Sequence, residues 1–195
     1  MKKSFLLPLV TIVLAACLLL GLSFGLKSLT EFNGQNVHLR LLQTLLPGST
    51  EFTLEAHTGD EIIRSVHKGE TGFVIETVTY GYAGEITMLI GVSKDGRVTG
   101  LTVTDMQETL GLGGNALVDA DFLAQFLNTD GVVAIGVQAD AFSGATGDSA
   151  AEADTYVDAI SGATVTSKAI ARCVNAAVAY VTGADVSSGA TSWGG

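Results

Sequence analysis

The run Asp158-Ala159-Ile160-Ser161-Gly162-Ala163-Thr164-Val165-Thr166-Ser167 gathers hydroxyl groups and small residues immediately ahead of an apolar-periodic segment. Backbone N–H groups at a helix start lack partners inside the helix and carry partial positive charge, so a turn of this kind can hold a phosphate. Gly162 and Ala163 present no bulky side chain to a ligand. A plainer use of the same residues stays open, because Ser161 or Thr164 could cap the helix with no ligand present. Metal chemistry has little support: His38, His57 and His67 are scattered, and Cys17 and Cys173 lie too far apart for a disulfide framework or a thiolate cage. Asp105 and Glu108 suggest paired carboxylates, but no nucleophile or partner base accompanies them, so a turn hydrogen bond is the simpler role. No catalytic residue is assigned.

The elements that must position this run follow from hydrophobic periodicity. Ile170, Cys173, Val174, Ala177, Val178 and Val181 recur at three and four residues, which predicts an amphipathic helix ending near Gly183. Phe73–Tyr80, Ile86–Val92 and Val98–Val103 are β-rich, and Asp95-Gly96 between the last two predicts a hairpin closed by a tight two-residue turn with both central residues at positive φ. Val37–Leu46 has helical spacing up to Pro47-Gly48, Asp119–Leu127 predicts a second helix, and Val132–Val137 predicts a further strand. Residues 138–157, rich in Ala, Gly, Ser and Asp, are read as a loop. The composite is an α+β domain with a largely antiparallel sheet.

Composition sets the surroundings. The 195 residues carry 20 acids against 10 bases and suit one domain plus an appendage. Phe5 to Leu26 holds no charged residue over 22 positions, long enough for an N-terminal transmembrane helix. Leu14-Ala15-Ala16-Cys17 also resembles a lipobox, but the apolar run continues past Cys17, which favours an inert thiol within a span. Lys2 and Lys3 precede the span, so the N-terminus is expected in the cytoplasm and the rest outside. Beyond Lys27 the chain keeps 7 bases and all 20 acids, a formal −13, which disfavours nucleic acid and anionic headgroups.

The run Asp158–Ser167 resembles the flavinylation motif of the covalent FMN-binding domain family: Asp, two variable residues, Ser or Thr, then Gly-Ala-Thr. Gly81-Tyr82-Ala83-Gly84-Glu85-Ile86, the Asp95-Gly96 hairpin and Glu108-Thr109-Leu110-Gly111-Leu112-Gly113 are similar to the sheet and flavin-side loop of the G subunits of Rnf electron-transport complexes. Leu110 stands where that family's loop has proline. The likeness runs over residues 5–182, with the C subunits of sodium-pumping NADH:quinone reductases a second, related group.

This resemblance implies that Thr164 carries FMN as a phosphoester installed by a flavin transferase from FAD. It also implies that Asp158, Ser161, Gly162, Ala163 and Thr166 surround the attachment point and that Glu108, Thr109 and Gly111 belong to the flavin wall. The motif spacing occurs three times, ending at Thr146, Thr164 and Thr191. Only the middle copy has a hydroxyl residue two places on and opens an amphipathic helix, so Thr164 is the expected acceptor and low-complexity drift explains the others. The implied organisation is a cytoplasmic stub and transmembrane helix (1–27), a juxtamembrane segment (28–70), an extracytoplasmic FMN-binding domain (71–183) and a C-terminal tail (184–195). The implied function is a cell-membrane electron relay among the other membrane subunits of an Rnf-type ion-translocating ferredoxin:NAD oxidoreductase. The alternatives are a stand-alone extracytoplasmic flavinylated module and a non-redox surface binding protein.

Overall fold

The computed structural model describes Leu14, Cys17, Leu18 and residues 36–57, 60–108, 113–135 and 155–183. The chain divides into two compact units, Met1–Leu41 and Leu42–Gly195. Within the first, Leu14, Cys17 and Leu18 are helical and exposed; the rest of the Phe5–Leu26 run lies outside the described residues. Among the described residues no helix is long and apolar enough to cross a membrane. Helix α1 occupies residues 36–45, and the chain leaves it through Gly48 at φ +88°.

The second unit is built on a five-stranded antiparallel sheet in sequential order: β1 (Thr53–Glu55), β2 (Ile63–Lys68), β3 (Gly72–Tyr80), β4 (Glu85–Ser93) and β5 (Val98–Met106). The first two strands, β1 and β2, come from the stretch read as a juxtamembrane segment. Their signal is weak for a physical reason: β1 has three residues, largely exposed, and a register shift between Ile63 and Ser65 breaks the alternation of β2. The expected hairpin is present, but its turn differs. Residues 94–96 form a three-residue loop in which only Gly96 takes positive φ, at +85°, with Gly96 N–H on the Ser93 carbonyl at 2.9 Å and Ser93 N–H on that of Arg97 at 2.8 Å. A helical turn closed by a left-handed glycine satisfies the strand twist without forcing Asp95 into that region.

One face of the sheet meets helix α4 (Thr164–Thr182): Ile75, Ile86, Met88, Ile90 and Val92 pack with Ala169, Ile170, Cys173, Val174, Ala177 and Val178 in the main core. The other face receives the end of α1, where Leu42, Leu45 and Leu46 are buried. Cross-strand partners Gly91 and Gly100 open the space there: a Cβ on Gly91 would meet the Leu45 backbone and come within 2.7 Å of Thr99 Oγ1, which itself donates to the Leu45 carbonyl at 2.6 Å. Gly91→Ala is therefore expected to destabilise by about 2–3 kcal/mol through overpacking, read as a lower urea midpoint at unchanged m.

Helices α2 (Gly113–Val118) and α3 (Ala120–Ala124) follow β5; Asp119 caps α3 by accepting from Phe122 N–H at 2.9 Å. The expected Asp119–Leu127 helix stops early, and its last residues form a turn ending at Asn128 with φ 62°. Strand β6 (Val133–Ile135) pairs in parallel with β7 (Thr155–Val157), which lies in the stretch read as a loop. Three residues carry no usable alternation. Asn175 of α4, buried, joins this small sheet to the core: its Nδ2 donates to the Val133 carbonyl and its Oδ1 accepts the Val133 N–H, both at 2.9 Å.

Candidate functional site

Helix α4 lies along the sheet with its N-terminus at the hairpin end of β3 and β4. Near the helix C-terminus, Tyr180 packs edge-on against Phe73 at 5.9 Å, and Thr182 meets Gly96. Farther back, Arg172 Nη2 donates to the carbonyl of Tyr80, the last residue of β3, at 3.1 Å. Thr164 precedes Arg172 by eight residues, about 12 Å along a helix axis at ~1.5 Å per residue. It is carried toward the end of the sheet where β3 stops, β4 begins and β5 stops.

The turn feeding this helix is defined by its own bonds. Ala163 N–H donates to the Ile160 carbonyl at 2.9 Å, and Gly162 sits at φ +80° with no atom within 4 Å of where a Cβ would stand. That backbone geometry suits glycine. Ser167, fully buried, donates its hydroxyl to the Ala163 carbonyl at 2.9 Å and receives Ile160 N–H at 3.4 Å. The loop entrance is held from outside, since Asp158 N–H donates to Gln125 Oε1 at 3.0 Å.

The capping alternative is not what the structure adopts. The N-cap is Ala163, which has no side-chain acceptor, and Thr164 is the first helical residue, exposed. The first α-helical bond is Ser167 N–H to the Ala163 carbonyl at 2.8 Å, so Thr164, Val165 and Thr166 present amides with no helical carbonyl to receive them. No acid occupies the first turn. The Thr166 hydroxyl is buried without a hydrogen-bond partner, an arrangement that leaves a polar group ready for a ligand oxygen.

Glu108 lies at the same sheet end. Its carboxylate accepts the N–H groups of Tyr82 and Ala83, at 2.5 and 3.2 Å, within the turn closed by Gly81 N–H on the Gly84 carbonyl. A Cβ on Gly81 would collide with that carboxylate. Glu108 thus performs the turn-bonding role and ties the Gly81–Gly84 turn to the start of the Glu108–Gly113 loop. Thr109 and Gly111 lie outside the described residues, as do Thr146 and Thr191. Asp158, Ser161, Gly162, Ala163, Thr164 and Thr166 are brought together by one turn and the helix it opens. A cavity of about 470 Å³ lies between β5 and helices α2 and α3, with Val103, Met106, Leu117 and Leu123 among its apolar lining and Asp105 at its wall. Helix α2 also packs against α4.

Gln125 escaped the sequence reading, since nothing local connects a glutamine to a backbone amide 33 positions away. Cys173 falls on the buried stripe of α4, and burial pushes its thiol from 9.0 up to about 11. Below about pH 9 the thiol is neutral both folded and unfolded. Between there and 11 only the unfolded chain loses its proton, so this group makes stability fall with rising pH across that window. Cys173→Ala, titrated by urea unfolding from pH 8 to 11, should show a shallower decline than the parent.

Comparison with known proteins agrees with this architecture. Residues 81–179, about half of the chain, match the family model described as "FMN-binding domain". The G subunit of the Na(+)-translocating ferredoxin:NAD(+) oxidoreductase complex of Acetobacterium woodii is 34% identical over 110 residues, 55% of this chain and 47% of that protein. The G subunit of the ion-translocating oxidoreductase complex of Pseudoalteromonas atlantica is 32% identical over 171 residues, 74% of this chain and 79% of that protein. The chain spans about half the length of the first of these curated relatives. In fold it is similar to the C subunit of the Na(+)-translocating NADH-quinone reductase of Parabacteroides distasonis, with TM-score 0.54, 19% identity and coverage of 80% of this chain and 98% of that one. By family match and by its relatives among the G subunits of ion-translocating oxidoreductases, this chain belongs to the FMN-binding domain family.

Proposed function

We propose that this chain is a membrane-anchored flavoprotein subunit that carries FMN as a phosphoester on Thr164 and relays electrons within an Rnf-type ion-translocating ferredoxin:NAD oxidoreductase complex. Its FMN-binding domain would face the extracytoplasmic side. The observation that carries this reading is an exposed threonine hydroxyl at the first position of a 19-residue helix whose N-cap offers no side-chain acceptor.

The residues present fit an FMN phosphate. The amides of Thr164, Val165 and Thr166 point along the positive end of the helix dipole, where a phosphoester's remaining negative charge is stabilised. The orphaned Thr166 hydroxyl can donate to a phosphate oxygen, which would end its unpaired burial. Open space beside Gly162 leaves room for the ribityl chain, and Ser167 and Gln125 keep the turn in one conformation. The cavity beside β5, lined by polar as well as apolar side chains and with Asp105 at its wall, has a volume that could receive a flat ring system. Glu108, Thr109 and Gly111 would form the remaining wall, Glu108 through the turn it holds.

FMN supplies the reversible electron chemistry when bound, and the chain needs no acid, base or nucleophile of its own for electron passage. Its residues would anchor the cofactor and set the local field. Covalent attachment suits an extracytoplasmic site, where a dissociated FMN could not readily be replaced.

Chain produced together with a flavin transferase should remain yellow and fluorescent in a denaturing gel; a colourless band would contradict the reading. Solubilised native membranes should yield the chain together with redox subunits of the complex, whereas recovery of the chain alone would contradict the assembly.

A further inference from the structure

We propose that Lys168 is the cationic side of the phosphate site on α4, drawing the anionic flavin donor to Thr164 during modification and lying beside the phosphoester afterwards. The proposal rests on Thr164 being the attachment point. Lys168 follows Thr164 by four residues, so the two occupy the same helix face, with Cβ atoms ~5–6 Å apart at such spacing. The burial pattern agrees: Thr164 and Lys168 are exposed, Thr166 and Ser167 between them are buried, and residues 169–171 are buried again.

The described residues offer Lys168 no other employment. Arg64 pairs with Glu76 and Glu85, Lys68 with Glu55, and Arg97 with Asp95 and Asp130, while Arg172 bonds the Tyr80 carbonyl. Among the described residues Lys168 has neither an ion pair nor a side-chain hydrogen bond. A cation near a helix N-terminus also opposes the helix dipole, so local stability does not favour it there. An anion bound at the uncapped turn reverses that sign. The surrounding acidity adds to the need, because a doubly charged donor approaching a chain that carries a formal −13 beyond Lys27 meets net repulsion, which an unpaired base relieves locally.

The assisted step is a phosphoryl transfer with no change in oxidation state. The Thr164 oxygen attacks the flavin-side phosphorus of FAD, the new O–P bond forms as the pyrophosphate P–O bond breaks, AMP leaves, and the hydroxyl proton passes to a base on the transferase. Lys168 touches the transferred phosphate, not the proton.

The test is the initial rate of flavin attachment to the full chain by the transferase, with FAD below saturation, at about 50 and 500 mM salt. Lys168→Met should lower kcat/KM about five- to ten-fold at low salt, Lys168→Glu more, and Lys168→Arg little. The deficit of Lys168→Met should shrink at high salt, and its melting temperature should not fall. Equal rates for Lys168→Met and the parent would overturn the proposal, as would a deficit independent of salt or shared equally by Lys168→Arg. A parent chain that acquires flavin on Thr146 or Thr191 instead, or none, refutes the site assignment itself and this inference with it.

Discussion

Thr164→Ala is expected to leave the chain folded and without covalent flavin. The substitution removes the oxygen through which the proposed phosphoester would form, so the expected loss is complete rather than graded. Alanine is the better helix former, and position 164 is exposed on the first turn, so the melting temperature should stay level or rise slightly. Thr164→Ser keeps the hydroxyl and should keep the flavin, which separates loss of the acceptor from disturbance of the turn. The neighbouring buried hydroxyls, Thr166 and Ser167, cannot substitute, because neither is exposed to a transferase.

The largest loss of stability is expected at Asn175. Its side-chain amide satisfies both backbone groups of Val133, at 2.9 Å each, in a fully enclosed position. Asn175→Leu keeps the branched heavy-atom shape but strands a buried donor and a buried acceptor, each worth about 1–3 kcal/mol when left unpaired. A total of about 2–6 kcal/mol is expected, measured as the shift in urea unfolding free energy. The damage should reach the modification site, since β6 pairs with β7 and β7 runs directly into Asp158. Slower flavin attachment should therefore accompany the fall in stability.

The parts of this fold legible from sequence are those where one face of an element is buried over several turns or pleats. Strands β3 and β4 and helix α4 have that length, and their boundaries lie within one or two residues of expectation. Strands β1 and β7 have three residues each, and β2 is interrupted by a register shift, so none of these carries a period long enough to read, whereas β6 falls within the apolar run Val132–Val137 expected as a strand. The hairpin at Gly96 was legible as a turn, while its type was not, because Asp-Gly serves both a two-residue turn and the last positions of a three-residue one.

Within the candidate site, Asp158 to Ser167 was legible because motif and helix start coincide in sequence. The emptiness of the cap was not. Whether Ser161, Ala163 or Thr164 occupies that position depends on where the backbone enters the helix, which the Ile160–Ala163 turn decides. For Glu108 two readings are open in the sequence, a turn bond and a flavin wall, and the Tyr82 and Ala83 amides supply the first. Long-range supports such as Gln125 and Asn175 have no sequence signal, since their partners are backbone groups common to every residue.

Attachment of FMN at Thr164 is tested by peptide mass spectrometry of the chain matured with its transferase. An FMN-sized adduct is expected on the peptide containing Thr164, fragmenting to that residue. An unmodified Thr164 peptide in material that has met a competent transferase and FAD would contradict it.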